Sequence, residues 1–148
     1  MIMIQTDVDI LLVEDTRSDA EMTIRALKRN LNSQSILHLE DGRAALDYLF
    51  SVGEFLGVGA TKMPKLILMD VKMPRVDGIE ALTKLKSNEL TRKIPVVMLT
   101  SSKENPDIQK CYAQGANSYI VKPVEFKDFS DVISELGLYW ISHNQPST

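Results

Sequence analysis

Leu66-Ile67-Leu68-Met69-Asp70 is four apolar residues closed by a carboxylate. The run is too short for a helix and has no polar alternation, so it reads as a strand buried on both faces. Ile10–Val13, Ser35–Leu39, Val96–Leu99 and Tyr119–Val121 read the same way. Between these runs, apolar residues recur at helical spacing. Ala20, Ile24, Leu27 and Leu31 share one face. Leu46, Leu49 and Phe50 share another, with Asp41 as N-cap. Ile79, Leu82 and Leu85 follow Asp77. Ile108, Cys111 and Tyr112 mark a fourth stripe, with Asn105 as cap and Pro106 in the first turn. Phe126, Phe129, Ile133, Leu136 and Trp140 form the last.

Strand and helix alternate strictly, which predicts an α/β fold with a parallel sheet and right-handed crossovers. About five such units favour a flavodoxin-like, doubly wound, five-stranded sheet of order 2-1-3-4-5 with helices on both faces. The domain is expected over residues 9–141, after an extension at 1–8 and before a flexible tail at 142–148. The loop Ser51–Pro64 is long and carries Gly53, Gly57 and Gly59. It reads as a tolerated surface insertion or as a functional loop.

Composition narrows the function classes. The chain has 148 residues, 44% apolar and 25% charged, which suits one soluble domain with a sizeable core. A net charge of −3 gives no reason to expect a nucleic-acid or membrane surface. Cys111 is the sole cysteine, so no internal disulfide can form and a reducing, cytoplasmic setting is expected. The first residues lack the basic flank and apolar core of a signal peptide. No apolar stretch approaches the ~20 residues that span a bilayer.

The strand ends carry the chemistry. In a doubly wound sheet, ligands sit beyond the carboxyl ends of the strands. Glu14-Asp15 follows the first run, Asp70 ends the third and Lys122-Pro123 follows the fifth. Two carboxylates ~4 Å apart repel by about 4 kcal/mol at an effective dielectric near 20. A hard divalent cation with oxygen ligands relieves such a cluster and bridges it to phosphoryl oxygens. Lys122 adds a point charge where a phosphoryl group needs one.

Glu14-Asp15, Asp70 followed by Met73-Pro74 and Asp77-Gly78, Thr100, Tyr119 and Lys122-Pro123 resemble the receiver domain of two-component response regulators. The likeness runs from about Asp9 to Leu136, and a single-domain regulator is expected. The loop before the third strand and the Tyr139-Trp140 end are similar to regulators that accompany bacterial phytochromes. The resemblance implies a sensor histidine kinase as partner, with a phytochrome-type kinase as one candidate. It implies Asp70 as phosphoacceptor. It implies Mg²⁺ (Mn²⁺ as substitute) held by Asp15, Asp70 and the backbone carbonyl of Lys72, with Glu14 acting through water. Lys122 and Thr100 would contact the phosphoryl group, and Thr100 and Tyr119 would switch together. The Lys122-Pro123 bond would be cis. Lys72 and Ser102 would tune acyl-phosphate lifetime.

The last helix carries Phe129, Val132, Leu136, Leu138, Tyr139, Trp140 and Ile141, more apolar surface than one core face needs. Homodimerisation through the face of the fourth helix, fifth strand and fifth helix is expected, with Trp140 folding back onto the domain as the alternative. Three rival functions meet obstacles. A haloacid dehalogenase-type phosphatase needs a second acid two residues after Asp70, where Lys72 stands. A flavin or nucleotide module cradles phosphate at the first turn, where Glu14-Asp15 would repel it. A degenerate receiver used only for docking usually loses an acid or the lysine, and both are kept. No independent substrate turnover is expected. His38 and His143 are too scattered to suggest a metal site, and Cys111 reads as core.

Overall fold

The computed structural model describes residues 7–31, 35–101, 105–122 and 125–146. The strands are β1 (Ile10–Val13), β2 (Ile36–Leu39), β3 (Leu66–Asp70), β4 (Val96–Thr100) and β5 (Ser118–Val121). The helices are α1 (Arg17–Leu27), α2 (Gly42–Phe50), α3 (Gly78–Lys86), α4 (Asn105–Ala113) and α5 (Phe126–Leu138). All strand pairs are parallel, in the order β2-β1-β3-β4-β5. This is the doubly wound topology that the alternation predicts.

Side chains alternate across each strand, so the sheet divides the core in two. Leu11, Val13, Ile67, Met69, Val96 and Met98 pack under α2, α3 and α4 against Tyr48, Leu82, Leu85 and Cys111. Ile10, Leu12, Leu66, Leu68, Val97 and Leu99 pack under α1 and α5 against Leu27, Phe129 and Ile133. Each fully buried aliphatic side chain contributes about 1.5–3 kcal/mol. Asp41 caps α2 by accepting from the Ala44 N–H at 2.8 Å, and Asp77 caps α3 by accepting from Glu80 at 2.9 Å.

Three expectations need correction. Burial on both faces holds for β1 and β4 and for the apolar part of β3, but β2 and β5 are only half-buried. They are the sheet's edges, each with one hydrogen-bonded neighbour. Tyr112 does not join the buried stripe of α4. Tyr112 is 50% exposed, and among the described residues of α4 only Cys111 is fully buried. The last helix also runs further than expected. A π-helical turn continues α5 through Tyr139–His143, so Ser142 and His143 are helical rather than part of a tail.

The loop after α2 is folded onto it. Phe55 lies in a short 3₁₀ turn, Gly53–Phe55, and meets Tyr48 edge-to-face at 5.6 Å. The Ala60 N–H donates to the Tyr48 carbonyl, and Gly59 donates to Ser51 Oγ. Leu56 and Val58 remain exposed at its apex.

Candidate functional site at the carboxyl edge of the sheet

β1, β3 and β5 end at the same edge, and the residues at or just beyond their ends converge. Glu14, Asp15 and Asp70 each offer a carboxylate oxygen, all within 4.8 Å of one another. Lys122 Nζ lies 2.6 Å from Glu14 Oε1, 3.0 Å from Asp19 Oδ2 and 3.6 Å from Asp70 Oδ2. The Glu14 backbone is pinned from β2: its N–H donates to the Leu39 carbonyl, and its own carbonyl meets His38 Nε2 at 2.7 Å. The Lys122 N–H donates to the Thr100 carbonyl at 2.7 Å, tying the end of β5 to the end of β4. Strand ends thus set the positions of these groups more firmly than a free loop could.

Burial and crowding set the electrostatics. Glu14 is 2% exposed. Its carboxyl is pushed up to about 8 from an ordinary 4.5, first by burial and then by its hydrogen bond to Asp70, with Lys122 opposing. Burial works against the Lys122 ammonium, but bonding to Glu14, with the charges of Asp19 and Asp70 nearby, holds its pKa above the usual lysine value. The lysine therefore stays charged. The pocket is rich in hard oxygen donors, and its one ammonium leaves them incompletely neutralised. That donor set fits a divalent cation with oxygen preference.

Thr100 is buried at the end of β4. It shares a sheet face with Met98, the register partner of Tyr119, so Thr100 and Tyr119 lie on the same side of the sheet. Tyr119 packs, partly buried, against the core under α2, α3 and α4. Lys72 is exposed in the loop after β3. Ser102 and Pro123, and with Pro123 the expected cis bond, lie outside the described residues.

Two features were not found in the sequence. Asp19, in the first turn of α1, is a third acid bonded to Lys122. The available signal was the fold itself, since α1 starts at the same sheet edge and its first turn overlooks the site. The second is the clamp on the β3–α3 loop. Arg75 adopts a left-handed backbone (φ 65°) and pairs with the cap residue Asp41 at 3.0 Å. Gly42 and Gly78 lie so close to the carbonyls of Val76 and Asp70 that neither has room for a β-carbon.

Comparison with known proteins agrees with this geometry. The family described as the response regulator receiver domain matches residues 10–134. A probable methanogenesis regulatory protein, FilR2 of Methanothrix harundinacea, is 39% identical over 92% of this chain and 85% of its own length. The response regulator Rcp1 of Synechocystis is 33% identical over 89% of this chain and 88% of its own. The Mn²⁺-bound crystal structure of Rcp1 superposes with a TM-score of 0.85. The phosphorylated cyanobacterial phytochrome response regulator RcpA superposes with a TM-score of 0.87 at 30% identity, over 96% of this chain and 99% of that one. Converging strand-end acids, the sheet order and these likenesses together make the chain a member of the response regulator receiver domain family of two-component signalling.

Proposed function

We propose that Asp70 accepts a phosphoryl group from the phosphohistidine of a sensor histidine kinase, with Mg²⁺ bound by Asp15, Asp70 and the Lys72 carbonyl and by Glu14 through water. One observation carries this reading: three carboxylates within 4.8 Å of one another, with the Lys122 ammonium 3.6 Å from Asp70. An Asp70 oxygen attacks phosphorus, a P–O bond forms, and the P–N bond breaks with its electron pair returning to the imidazole. Mg²⁺, when bound, neutralises phosphoryl charge. Lys122 supplies a second positive charge from a nearly buried position. The strand end keeps the attacking oxygen aligned.

Phosphorylation adds about −1.5 to −2 charges and strong acceptor oxygens at Asp70. The Thr100 hydroxyl gains a charge-assisted bond by turning toward them. Tyr119 then repacks on the same face, and two packings of the β4–β5 edge exchange. Ser102 and Lys72 tune how long the acyl phosphate lasts. The readout is association through the α4-β5-α5 face. The exposed Tyr112 of α4 and Val132 of α5 support this, whereas Trp140 packs back toward the α1–α5 core. The likeness to Rcp1 and RcpA supports a phytochrome-type kinase as partner. The protein acts as a phosphoacceptor and turns over no separate substrate.

The test is incubation with acetyl phosphate and Mg²⁺, followed by intact-mass measurement. Wild type gains one phosphoryl mass and Asp70→Asn gains none. A phosphoryl adduct retained in Asp70→Asn would move the acceptor elsewhere.

A further inference from the structure

Three carboxylates surround Lys122, and one of them stands apart. Glu14 and Asp70 belong, with Asp15, to the cluster that fits a divalent cation; Asp19 does not. Yet Asp19 Oδ2 is 3.0 Å from Nζ, closer than Asp70 at 3.6 Å. The ammonium has three N–H donors, and it faces three acids. Asp19 is the solvent-side member, with its side chain 32% exposed against 2% for Glu14. Its place in the first turn of α1 also favours a negative charge.

The arrangement sets two cations in competition. Lys122 holds its shortest bond to Glu14, at 2.6 Å. A divalent cation needs the same acids and repels the ammonium. Lys122 must then give up Glu14 while staying over Asp70. An ammonium leaving a buried acid needs another anion within reach, and Asp19 is already bonded to it.

We infer that Asp19 is a positioning residue: it offers a second seat for the Lys122 ammonium, so that Glu14 is released to a cation while the lysine stays beside Asp70. This rests on the reading that the acids bind Mg²⁺. Its consequence is that Asp19 affects metal binding through Lys122 rather than by touching the ion.

The test is a calorimetric titration of Mg²⁺ into the folded wild type and into Asp19→Ala, Asp19→Asn, Lys122→Ala and the double variant Asp19→Ala/Lys122→Ala, at one pH and salt concentration. With Lys122 present, Asp19→Ala is expected to weaken binding by about tenfold, because the ammonium falls back onto Glu14 and Asp70. Asp19→Asn keeps an acceptor oxygen and recovers part of the loss. With Lys122 removed, the same alanine change is expected to matter less than about threefold. Equal losses in both backgrounds overturn the inference, since Asp19 would then act as a bare charge on the ion. Unchanged affinity in Asp19→Ala overturns it too. If Asp19→Ala does not fold, Asp19→Asn carries the same comparison between backgrounds. A wild type with no Mg²⁺ affinity overturns the metal reading underneath, a result distinct from the other two.

Discussion

Gly78 is packed against the backbone carbonyl of Asp70 so tightly that a β-carbon would overlap it. The Gly78 N–H also donates to the Val71 carbonyl at 2.7 Å. The start of α3 is therefore a stop against which the end of β3 rests. Gly78→Ala must push one of them aside. The expected cost is about 1–3 kcal/mol in urea unfolding, by analogy with overpacked cores. Mg²⁺ affinity should fall with it, because Asp70 moves.

Glu14 makes the metal-free protein sensitive to pH. Its folded pKa of about 8 lies above the ordinary 4.5. Between these values the folded state holds a proton that the unfolded chain has released. Its contribution is thus complete below about 4.5 and lost as pH rises through about 8. The raised pKa of Lys122 acts only in the alkaline range above its ordinary 10.5. Melting temperatures in chelator should therefore decline from pH 5 to 8.5, and Glu14→Gln should flatten that decline. Mg²⁺ binding near pH 6.5 should release about one proton, measured by calorimetry in buffers of different ionisation enthalpy.

Asp41 has two roles, as cap of α2 and as partner of Arg75. Burial opposes its charge, but the Ala44 amide and Arg75 hold its carboxyl below the usual range. Asp41→Ala loses the cap and should cost about 0.5–2 kcal/mol. The ion pair itself is half-exposed on the arginine side and screened by solvent, so Arg75→Ala should cost less than Asp41→Ala. Arg75→Gly removes the pair but suits the left-handed backbone, and should be milder than Arg75→Ala in the same unfolding experiment.

Thr100→Ala separates chemistry from output. Asp70 should still take phosphate from acetyl phosphate, with the same mass gain. Association that depends on phosphorylation, read by analytical ultracentrifugation, should disappear. Undiminished association in this variant would refute the coupling through Thr100.

The legible parts of the fold were those where one physical signal dominates. β1, β3 and β4 are central strands, so unbroken apolar runs identify them. Asp41 and Asp77 sit just ahead of amphipathic stretches, where a short acid has little role other than capping. β2 and β5 carry mostly apolar runs, with His38 in one and Ser118 in the other, and edge position is a property of strand order rather than of those runs. Tyr112 fits helical spacing with Ile108, yet it stands about 100° around the helix from Cys111, the residue that faces the core. At the site, Glu14, Asp15, Asp70 and Lys122 were legible because each ends or follows a strand. Asp19 was not, because it lies on a helix and meets Lys122 across 103 residues of chain. The clamp of Gly42, Gly78 and Arg75 depends on close approach between loops, which no local pattern records.

The hydrogen bonds that close Ser51–Ala60 onto Tyr48 leave Leu56, Gly57 and Val58 as a protruding knuckle whose base is already sealed. Gly57 has open space around its α-carbon. A fluorophore or affinity tag spliced there would ride on the outside of the molecule and would report encounters with other proteins.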